Sequence, residues 1–180
     1  MFLRKIIRHL NSIIRSIFFK IFIGHSGKKI YLERCTFYRP TSIKSTKKAF
    51  NLGNNVSILK KCELTATDEC PITIGDNTFI NSNCIIRPNV HISNNVSIGM
   101  NCKFITDTHE IGPRGSRAGK SYFTKIEIED GCWIGADVTI IGDCLIKKGT
   151  IIGAGSVIKG LCESDSIYYG SKAKKIKEIK

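Results

Sequence analysis

The stretch ITIGDNTFINSNCIIRPNVHISNNVSIGMNCKFI, residues 72–105, carries an aliphatic or aromatic residue at every sixth position. This first series runs without a break from Ile74 to Phe104, and a second series runs from Ile128 to Ile158. Phe104 and Ile128 are 24 positions apart, again a multiple of six, so the two series share one phase. A single repeat therefore organises most of the chain, and it is the feature from which the fold can be predicted.

A period of six matches neither the turn of an α-helix nor the alternation of an isolated strand. It fits a triangular coil whose three sides are short strands and whose corners are turns. The aliphatic residue points into the prism, a small residue four positions later packs beside it, and Gly, Asn and Asp supply the unusual backbone angles of the corners. Stacked coils pair their backbones as in other solenoids. The pattern predicts an all-β parallel β-helix of about five triangular coils.

Six of the eight cysteines fall on the small inward position of this repeat, namely Cys62, Cys84, Cys102, Cys132, Cys144 and Cys162. Val, Thr and Ser occupy the same position in the other repeats. We therefore expect buried thiols that act as small hydrophobic groups, and neither a disulfide framework nor a metal site. Thiols scattered in this way indicate a reducing compartment, so the expected location is the cytoplasm.

The repeat is interrupted by DTHEIGPRGSRAGKSYFT, residues 107–124, and resumes in phase at Ile126. A polar, glycine-rich loop that leaves a rigid scaffold and returns to the same corner is where binding and catalytic groups usually lie. His109 stands near the start of this ejected loop. An imidazole can accept the proton of an attacking hydroxyl near neutral pH and pass it to a leaving group.

The repeat over residues 50–176 resembles the hexapeptide-repeat acyltransferases, whose signature is [LIV]-[GAED]-x-x-[STAV]-x. The segments Thr-His-Glu-Ile-Gly-Pro at 108–113 and Asp-Gly-Cys-Trp-Ile-Gly-Ala at 130–136 resemble the branch that O-acetylates sugars and bacterial surface polysaccharides. The resemblance implies a left-handed helix sense, acetyl-CoA as co-substrate without a metal, a sugar or glycan acceptor, and a homotrimer that holds the coenzyme between adjacent prisms. It assigns His109 as the catalytic base.

The same resemblance, position by position, implies the other site residues. Substrate-binding residues are Asn83, Asp107, Glu110, Arg114 and Arg117, and cofactor-binding residues are Trp133, Gly135, Ala136, Gly153, Ala154, Lys159, Lys174 and Lys175. Asp107 or Glu110 could hold the second nitrogen of the imidazole. Simpler interpretations stay open: a corner asparagine is normally a turn former, small residues suit a tight corner as well as a pantetheine arm, and tail lysines can be solvated.

The charge of the chain is concentrated at its ends. Residues 1–50 contain twelve Lys or Arg and one acidic residue, Glu33, whereas the middle of the chain is nearly neutral. Apolar residues at helical spacing over 2–23 predict a basic amphipathic helix, residues 1–24. This helix either contacts the inner face of an anionic membrane or caps the β-helix, residues 25–171. The basic tail, residues 172–180, is expected to be a short helix. No recognition motif indicates nucleic acid.

Three functions remain open at this point. The first is acetyl transfer to a sugar hydroxyl in a bacterial surface glycan or its precursor, which the basic helix favours. The second is acetylation of a small molecule such as a free sugar, serine or a streptogramin-type antibiotic. The third is a γ-type carbonic anhydrase or an inactive scaffold. The anhydrase needs three zinc-binding histidines on the coils, and only His91 and His109 lie within the repeats.

Overall fold

The computed structural model describes residues 10, 11, 13–15, 17, 25–38 and 49–178, and it contains the predicted triangular prism of short strands. The chain traverses three sides in each coil, which we name face one, face two and face three in that order. Parallel pairing joins each strand to the strand one coil below and one coil above. On face one, for example, Val90 is in register with Ile72 on one side and with Ile126 on the other. The all-β parallel helix predicted from the six-residue period is therefore confirmed.

Faces one and three belong to one sheet of eleven strands, because two long strands bend around the corner between them, and face two is a sheet of eight. The first sheet contains β1 (His25–Ser26), β3 (Thr36–Tyr38), β4 (Phe50–Leu52), β6 (Glu63–Thr65), β7 (Ile72–Ile74), β9 (Ile85–Ile86), β10 (Val90–Ile92), β12 (Lys103–Ile105), β15 (Ile126–Ile128), β17 (Thr139–Ile146) and β19 (Val157–Cys162). The second contains β2 (Tyr31–Leu32), β5 (Ser57–Ile58), β8 (Phe79–Ile80), β11 (Ser97–Ile98), β16 (Trp133–Ile134), β18 (Ile151–Ile152), β20 (Ser166–Tyr169) and β21 (Lys174–Glu178). A separate hairpin consists of β13 (Asp107–Ile111) and β14 (Ala118–Phe123).

The described strands complete six coils and two sides of a seventh, so the expectation of about five coils is one too few. The additional coil is formed by β1, β2 and β3, which pair with β4, β5 and β6. The regular series of aliphatic residues starts only after this coil. A terminal coil packs against one neighbouring coil rather than two, so the residue types at its positions are less constrained to follow the repeat.

The inward ladders follow the predicted register. The aliphatic residues of both series are buried, and so are all six cysteines at the small inward position. Three of these thiols, Cys62, Cys84 and Cys102, occupy the same corner on successive coils, and each donates to a backbone carbonyl of the next coil, at 3.0, 3.3 and 3.1 Å respectively. All eight cysteines are free. The thiols therefore fill the corners of the prism, where a larger side chain would not fit.

Asparagine and aspartate form the corners, as the composition of the repeat predicts. Asn55, Asn77 and Asn95 lie at equivalent corners of successive coils, each with a positive φ near 55°. Their side-chain amides form a ladder in which each Nδ2 donates to the Oδ1 of the next coil at 3.1 and 3.2 Å. Beside them, Asp76 accepts the backbone N–H of Asn54 at 2.6 Å. The hydrogen bonds from Asn54 hold the pKa of Asp76 below its usual range.

The expected short helix at residues 172–180 is wrong. Residues Lys174–Glu178 form β21, which pairs antiparallel with β20 and brings Lys174 opposite Tyr169. The reason is the open edge of the last coil, because an uncovered strand exposes unpaired backbone N–H and C=O groups. The tail satisfies these groups by adding one antiparallel strand to face two, and this gain outweighs the helical preference of its lysines.

The N-terminal helix is described only at residues 10, 11, 13–15 and 17, all of which are helical, and the rest of the expected helix lies outside the described residues. Burial raises the pKa of the Cys35 thiol in the first coil to about 12. The positive charge of Arg15 is close enough to act on that pKa in the opposite direction. The apolar stripe of Leu10, Ile14 and Ile17 is 53–63% exposed. Among the described helical residues, no segment is long and apolar enough to cross a membrane.

Candidate active site

The eighteen residues that interrupt the repeat form a regular β-hairpin, which we call the arm (residues 107–124). Its strands β13 and β14 pair antiparallel, with Asp107 opposite Phe123 and His109 opposite Ser121. A bulge follows His109, and the pairing resumes between Ile111 and Ala118. The ejected loop therefore has an ordered backbone. Its side chains project from defined positions rather than from a disordered segment.

Hydrogen bonds fasten both ends of the arm to the corner between face three and face one. The Thr124 backbone N–H and hydroxyl both donate to the Thr106 carbonyl, at 2.8 and 2.7 Å. The Asn89 side-chain amide donates to the Thr124 carbonyl at 2.9 Å. Thr106 is itself fully buried, and its hydroxyl donates to the Pro88 carbonyl at 2.5 Å. The arm is thus clamped at its base, and it projects beyond the prism from that clamp.

The first residue of the arm is held by an arginine from the coil below. The Nε and Nη2 atoms of Arg87 donate to the two carboxylate oxygens of Asp107 at 3.1 and 3.2 Å. The third nitrogen of the guanidinium, Nη1, donates to the Thr65 hydroxyl at 3.4 Å. Of the two carboxylates considered as partners of the His109 imidazole, Asp107 therefore also binds Arg87.

The arm brings together all the predicted catalytic and substrate-binding residues except Asn83. His109, Glu110, Arg114 and Arg117 are exposed. The Arg117 guanidinium donates to the Gly112 carbonyl at 3.3 Å, which braces the tip of the arm. No described acidic side chain forms an ion pair with Arg114 or Arg117. An exposed imidazole and two exposed guanidinium groups on the same arm suit an acceptor that approaches from solvent.

The predicted cofactor residues near Trp133 collect at a different corner, between face two and face three. The Trp133 side chain is 55% exposed on the outer surface of face two. Gly135 and Ala136 follow it at the corner, and Gly153 and Ala154 occupy the same corner one coil above, where the Gly155 N–H donates to the Ala136 carbonyl at 2.8 Å. A Cβ added to Gly135 would lie 2.6 Å from the Ala154 nitrogen. Coil stacking by itself thus requires a glycine here.

The C-terminal lysines reach the same corner because the tail is a strand. Lys174 lies opposite Tyr169 across the β20–β21 pair. The Tyr169 ring lies against Gly153, since a Cβ added to that glycine would be 2.5 Å from the Tyr169 Cδ2 atom. Lys175 forms a 3.3 Å ion pair with Glu178, which reduces the charge it can offer to a ligand. The structure therefore places Lys174 opposite Tyr169, whose ring lies against Gly153.

Face three separates these two groups within one chain. Lys159 is exposed on this face, at the side nearer to the arm. Asn83 lies at the same type of corner as Gly135 but two coils below. Its φ is 63°, and its side-chain amide donates to the Asn101 Oδ1 at 3.1 Å. Asn83 thus has the turn-forming role that its residue type suggests, and an interaction with the acceptor remains a prediction. Three residues that shape these sites were not identified from the sequence, namely Arg87, Thr124 and Tyr169.

Two shallow depressions on face one lie apart from all the predicted site residues. One has a volume of about 400 Å³ and includes Glu127 and Leu161, and the other, of about 310 Å³, includes His91 and again Glu127. Partial burial and the nearby Lys125 lower the pKa of His91. No group of three or more His, Cys, Asp or Glu residues in the described part of the chain is arranged to hold a metal ion. Neither depression converges on a reactive group other than His91.

Comparison with protein families identifies the repeat. The family model described as bacterial transferase hexapeptide (six repeats) matches residues 71–105 and 125–160, on either side of the arm. The galactoside O-acetyltransferase of Lactococcus lactis is 30% identical over 82 residues, which are 46% of this chain and 40% of that protein. The chain spans about half of the length of the curated relatives it matches.

Solved structures share the architecture over most of the chain. AntD, an N-acyltransferase from Bacillus cereus crystallised with dTDP and coenzyme A, matches with a TM-score of 0.76 and 21% identity, covering 92% of this chain and 89% of AntD. A hexapeptide-repeat acetyltransferase of Vibrio cholerae, crystallised with acetyl-CoA, matches with a TM-score of 0.62 and 25% identity, covering 92% and 76%. These likenesses support the left-handed parallel β-helix expected from the resemblance.

Proposed function

Because the chain belongs to the hexapeptide-repeat transferases, we propose that it is an acetyl-CoA-dependent O-acetyltransferase that acts on a sugar hydroxyl, in a bacterial surface glycan or its precursor. The observation that carries this proposal is the clamped arm. It interrupts the repeat at one corner and presents His109 on an ordered strand, together with exposed arginines. Two of the similar proteins are named as acetyltransferases.

The proposed chemistry is direct transfer in a ternary complex. The imidazole of His109 accepts the proton of the acceptor hydroxyl while the oxygen attacks the thioester carbonyl of acetyl-CoA. The tetrahedral intermediate then collapses, the carbon–sulfur bond breaks, and the coenzyme A thiolate takes the proton from the imidazolium. The products are the acetyl ester and free coenzyme A. No covalent enzyme intermediate and no metal are needed for this sequence.

In this proposal the coenzyme lies along the corner of Gly135, Ala136, Gly153 and Ala154, with Trp133 beside it and the lysines 159, 174 and 175 near its phosphates. Small residues let the backbone approach a pantetheine chain, and lysine ammonium groups suit phosphate. Face three separates this corner from the arm of the same chain, so the arm of one subunit and the corner of its neighbour would form the cleft. A homotrimer of prisms satisfies this requirement.

The acceptor is proposed to bind at the arm, through Glu110, Arg114 and Arg117, with Asn83 as a further contact. Asp107, the remaining expected acceptor contact, is also bound by Arg87. The basic, partly exposed N-terminal helix supports action at the inner face of an anionic membrane, where lipid-linked glycan precursors are available. The name of the galactoside O-acetyltransferase relative favours the second candidate, a free sugar as the acceptor.

The deciding experiment is acetyl-CoA turnover, read as free thiol, against a panel of acceptors. The panel contains a galactoside, maltose, serine, a streptogramin-type antibiotic and a lipid-linked oligosaccharide precursor. We expect turnover with sugars and little with serine or the antibiotic. Preference for the lipid-linked acceptor, by roughly tenfold or more in kcat/KM, would support the glycan assignment. Preference for the free galactoside would replace it with the small-sugar function, and absence of turnover with every acceptor would contradict the activity.

A further inference from the structure

We propose that Arg87 is a positioning residue for His109 and that it acts through Asp107. This inference rests on the proposed role of His109 as the base. It concerns a residue that lies one coil below the arm and for which the sequence predicted no role in catalysis. The contact that carries it is the two-point ion pair between the Arg87 guanidinium and the Asp107 carboxylate.

The position of Arg87 on the prism explains why it reaches the arm. Arg87 follows β9 on the outer surface of face three, and its backbone N–H donates to the Phe104 carbonyl of β12 at 3.1 Å. β12 is the strand that leads directly into the arm. The guanidinium also contacts the Thr65 hydroxyl on the coil below. Arg87 therefore links three successive levels of face three, and its charged end meets the arm at its first residue.

The strand geometry then relates Arg87 to the imidazole. Side chains two residues apart on a strand leave it on the same side. Asp107 and His109 are two apart on β13, and the bulge in the pairing comes only after His109. The side of the arm that faces Arg87 is therefore also the side from which the imidazole projects. Holding Asp107 from below orients this side of the strand toward face three.

The other contacts at the base of the arm cannot replace this orientation. Thr106, Thr124 and Asn89 hold the two ends of the arm through backbone atoms, which limits where the hairpin begins and ends. None of these hydrogen bonds involves a side chain of β13. A two-point guanidinium–carboxylate pair restricts the orientation of the strand, because both nitrogen–oxygen distances must be kept together. A lysine at this position would supply the charge without the planar, two-point geometry.

The size of the expected effects separates positioning from stability. The side chains of Arg87 and Asp107 are 33% and 43% exposed. An exposed ion pair contributes little to global stability because water and salt screen it. A small misplacement of a catalytic group, by contrast, can lower a rate by about a hundredfold. Removal of the guanidinium should therefore leave the prism intact and lower kcat.

The experiment compares Arg87→Gln, Arg87→Lys and Asp107→Asn with the unchanged full-length protein. We expect Arg87→Gln and Asp107→Asn to lower kcat by roughly 10- to 100-fold while KM for acetyl-CoA stays unchanged. The kcat of Arg87→Lys should lie between that of these two variants and that of the wild type. The matched control is Lys147→Gln, which removes a different surface ion pair, with Glu163 at 2.8 Å, and should leave kcat unchanged. A rise in KM with unchanged kcat would overturn the proposal.

A second comparison uses the His109→Ala background. If Arg87 acts only by positioning the imidazole, Arg87→Gln should cause no further loss of the residual rate once His109 is absent. A further tenfold loss in that background would show that Arg87 contacts the substrate itself, and this result would overturn the positioning role.

Hydrogen exchange of the arm provides a readout that does not depend on activity. Arg87→Gln should speed exchange of the β13 and β14 amides while the amides of the coils keep their protection. Unchanged exchange in the arm would overturn the proposal. If the wild-type protein shows no acetyl transfer, the proposed function fails separately, because the exchange measurement still reports whether Arg87 orders the arm.

Discussion

His109 occupies an exposed place on an ordered strand rather than a buried cleft of the single chain. A base at such a position can act only when the substrates bind next to it. We predict that His109→Ala lowers kcat by roughly 10²–10⁴, the usual worth of one positioned base, while KM for acetyl-CoA changes little because its predicted contacts lie elsewhere. The measurement is steady-state release of free thiol with a saturating acceptor.

His91→Asn is the matched control for that substitution, since His91 is also a coil histidine but lies on face one, away from the arm. Its turnover should equal that of the wild type. Near-normal turnover of His109→Ala would refute the assignment of the base. A rise in KM for acetyl-CoA with little change in kcat would make His109 a coenzyme-binding residue instead.

The cysteines illustrate how burial suppresses reactivity. Cys84, Cys102, Cys132 and Cys144 are at most 3% exposed, and burial raises the pKa of Cys132 to about 11 and that of Cys144 to about 12. Because the thiolate is the reacting form, we predict slow alkylation of these four in native protein at neutral pH and fast alkylation in denaturant. Peptide mass spectrometry should find the half-buried Cys70 labelled first. Rapid native labelling of all four would contradict the inward register.

The corners of the prism limit which residues can stack. Gly135 leaves no room for a methyl group, because an added Cβ would lie 2.6 Å from the Ala154 nitrogen, whereas nothing lies within 4 Å of a Cβ added to Gly115 at the tip of the arm. We predict that Gly135→Ala lowers the free energy of unfolding by about 1–3 kcal/mol and that Gly115→Ala changes it little. Chemical denaturation without coenzyme measures both. Equal stability of the two variants would mean that the coils adjust freely.

The last strand shows how an element can be decided by its neighbour. The lysines of the tail have good helical propensity, yet residues Lys174–Glu178 extend face two by antiparallel pairing with β20. The pairing covers an edge that would otherwise invite association with another chain. It also gives the basic tail a defined place near Tyr169 and Gly153, which a free helix would not have.

Apolar side chains lie on the outer surface of face two on several coils. Phe79, Ser97, Trp133 and Ile151 lie in register on successive coils, with Trp133 55% exposed. An exposed apolar row of this kind indicates a partner surface. We predict a homotrimer in sedimentation experiments, with His109 of one subunit near the corner of its neighbour. Trp133→Glu should favour smaller species, whereas Leu161→Glu on face one should not. A fully active monomer at micromolar concentration would contradict this assembly.

The N-terminal helix combines an exposed apolar stripe with a positive charge, Arg15, near Cys35 of the first coil. If its main role is at the membrane, deletion of residues 1–23 should abolish binding to anionic vesicles and leave the melting temperature nearly unchanged. Co-sedimentation with vesicles and thermal unfolding measure the two properties, and neutral vesicles serve as the control. A lower melting temperature with unchanged vesicle binding would identify the helix as a cap of the prism instead.

The periodic part of the structure could be predicted from the sequence because each repeat satisfies the same local demands. Ile at the inward position, Cys, Val or Thr four residues later, and Asn or Asp at the corner identify the sides, the core and the turns without knowledge of any distant contact. The break in the same pattern located the arm and His109. The regular residue series does not extend over the first coil, and the C-terminal strand was missed, because both are ends, where the repeat loses one of its two neighbours.

Only the tertiary structure decided which residues meet across coils and corners. Arg87 and Asp107 are twenty residues apart in sequence, and their contact follows from the stacking of β9, β12 and the arm. The same stacking pairs the Asp107 carboxylate, a predicted partner of the imidazole, with Arg87. It also places the Tyr169 ring against Gly153 and Lys174 opposite Tyr169. A six-residue period specifies the direction and burial of each side chain, because these depend on local backbone geometry. Contacts between levels depend on how many residues each coil and insertion contains, so they are settled only when the coils stack.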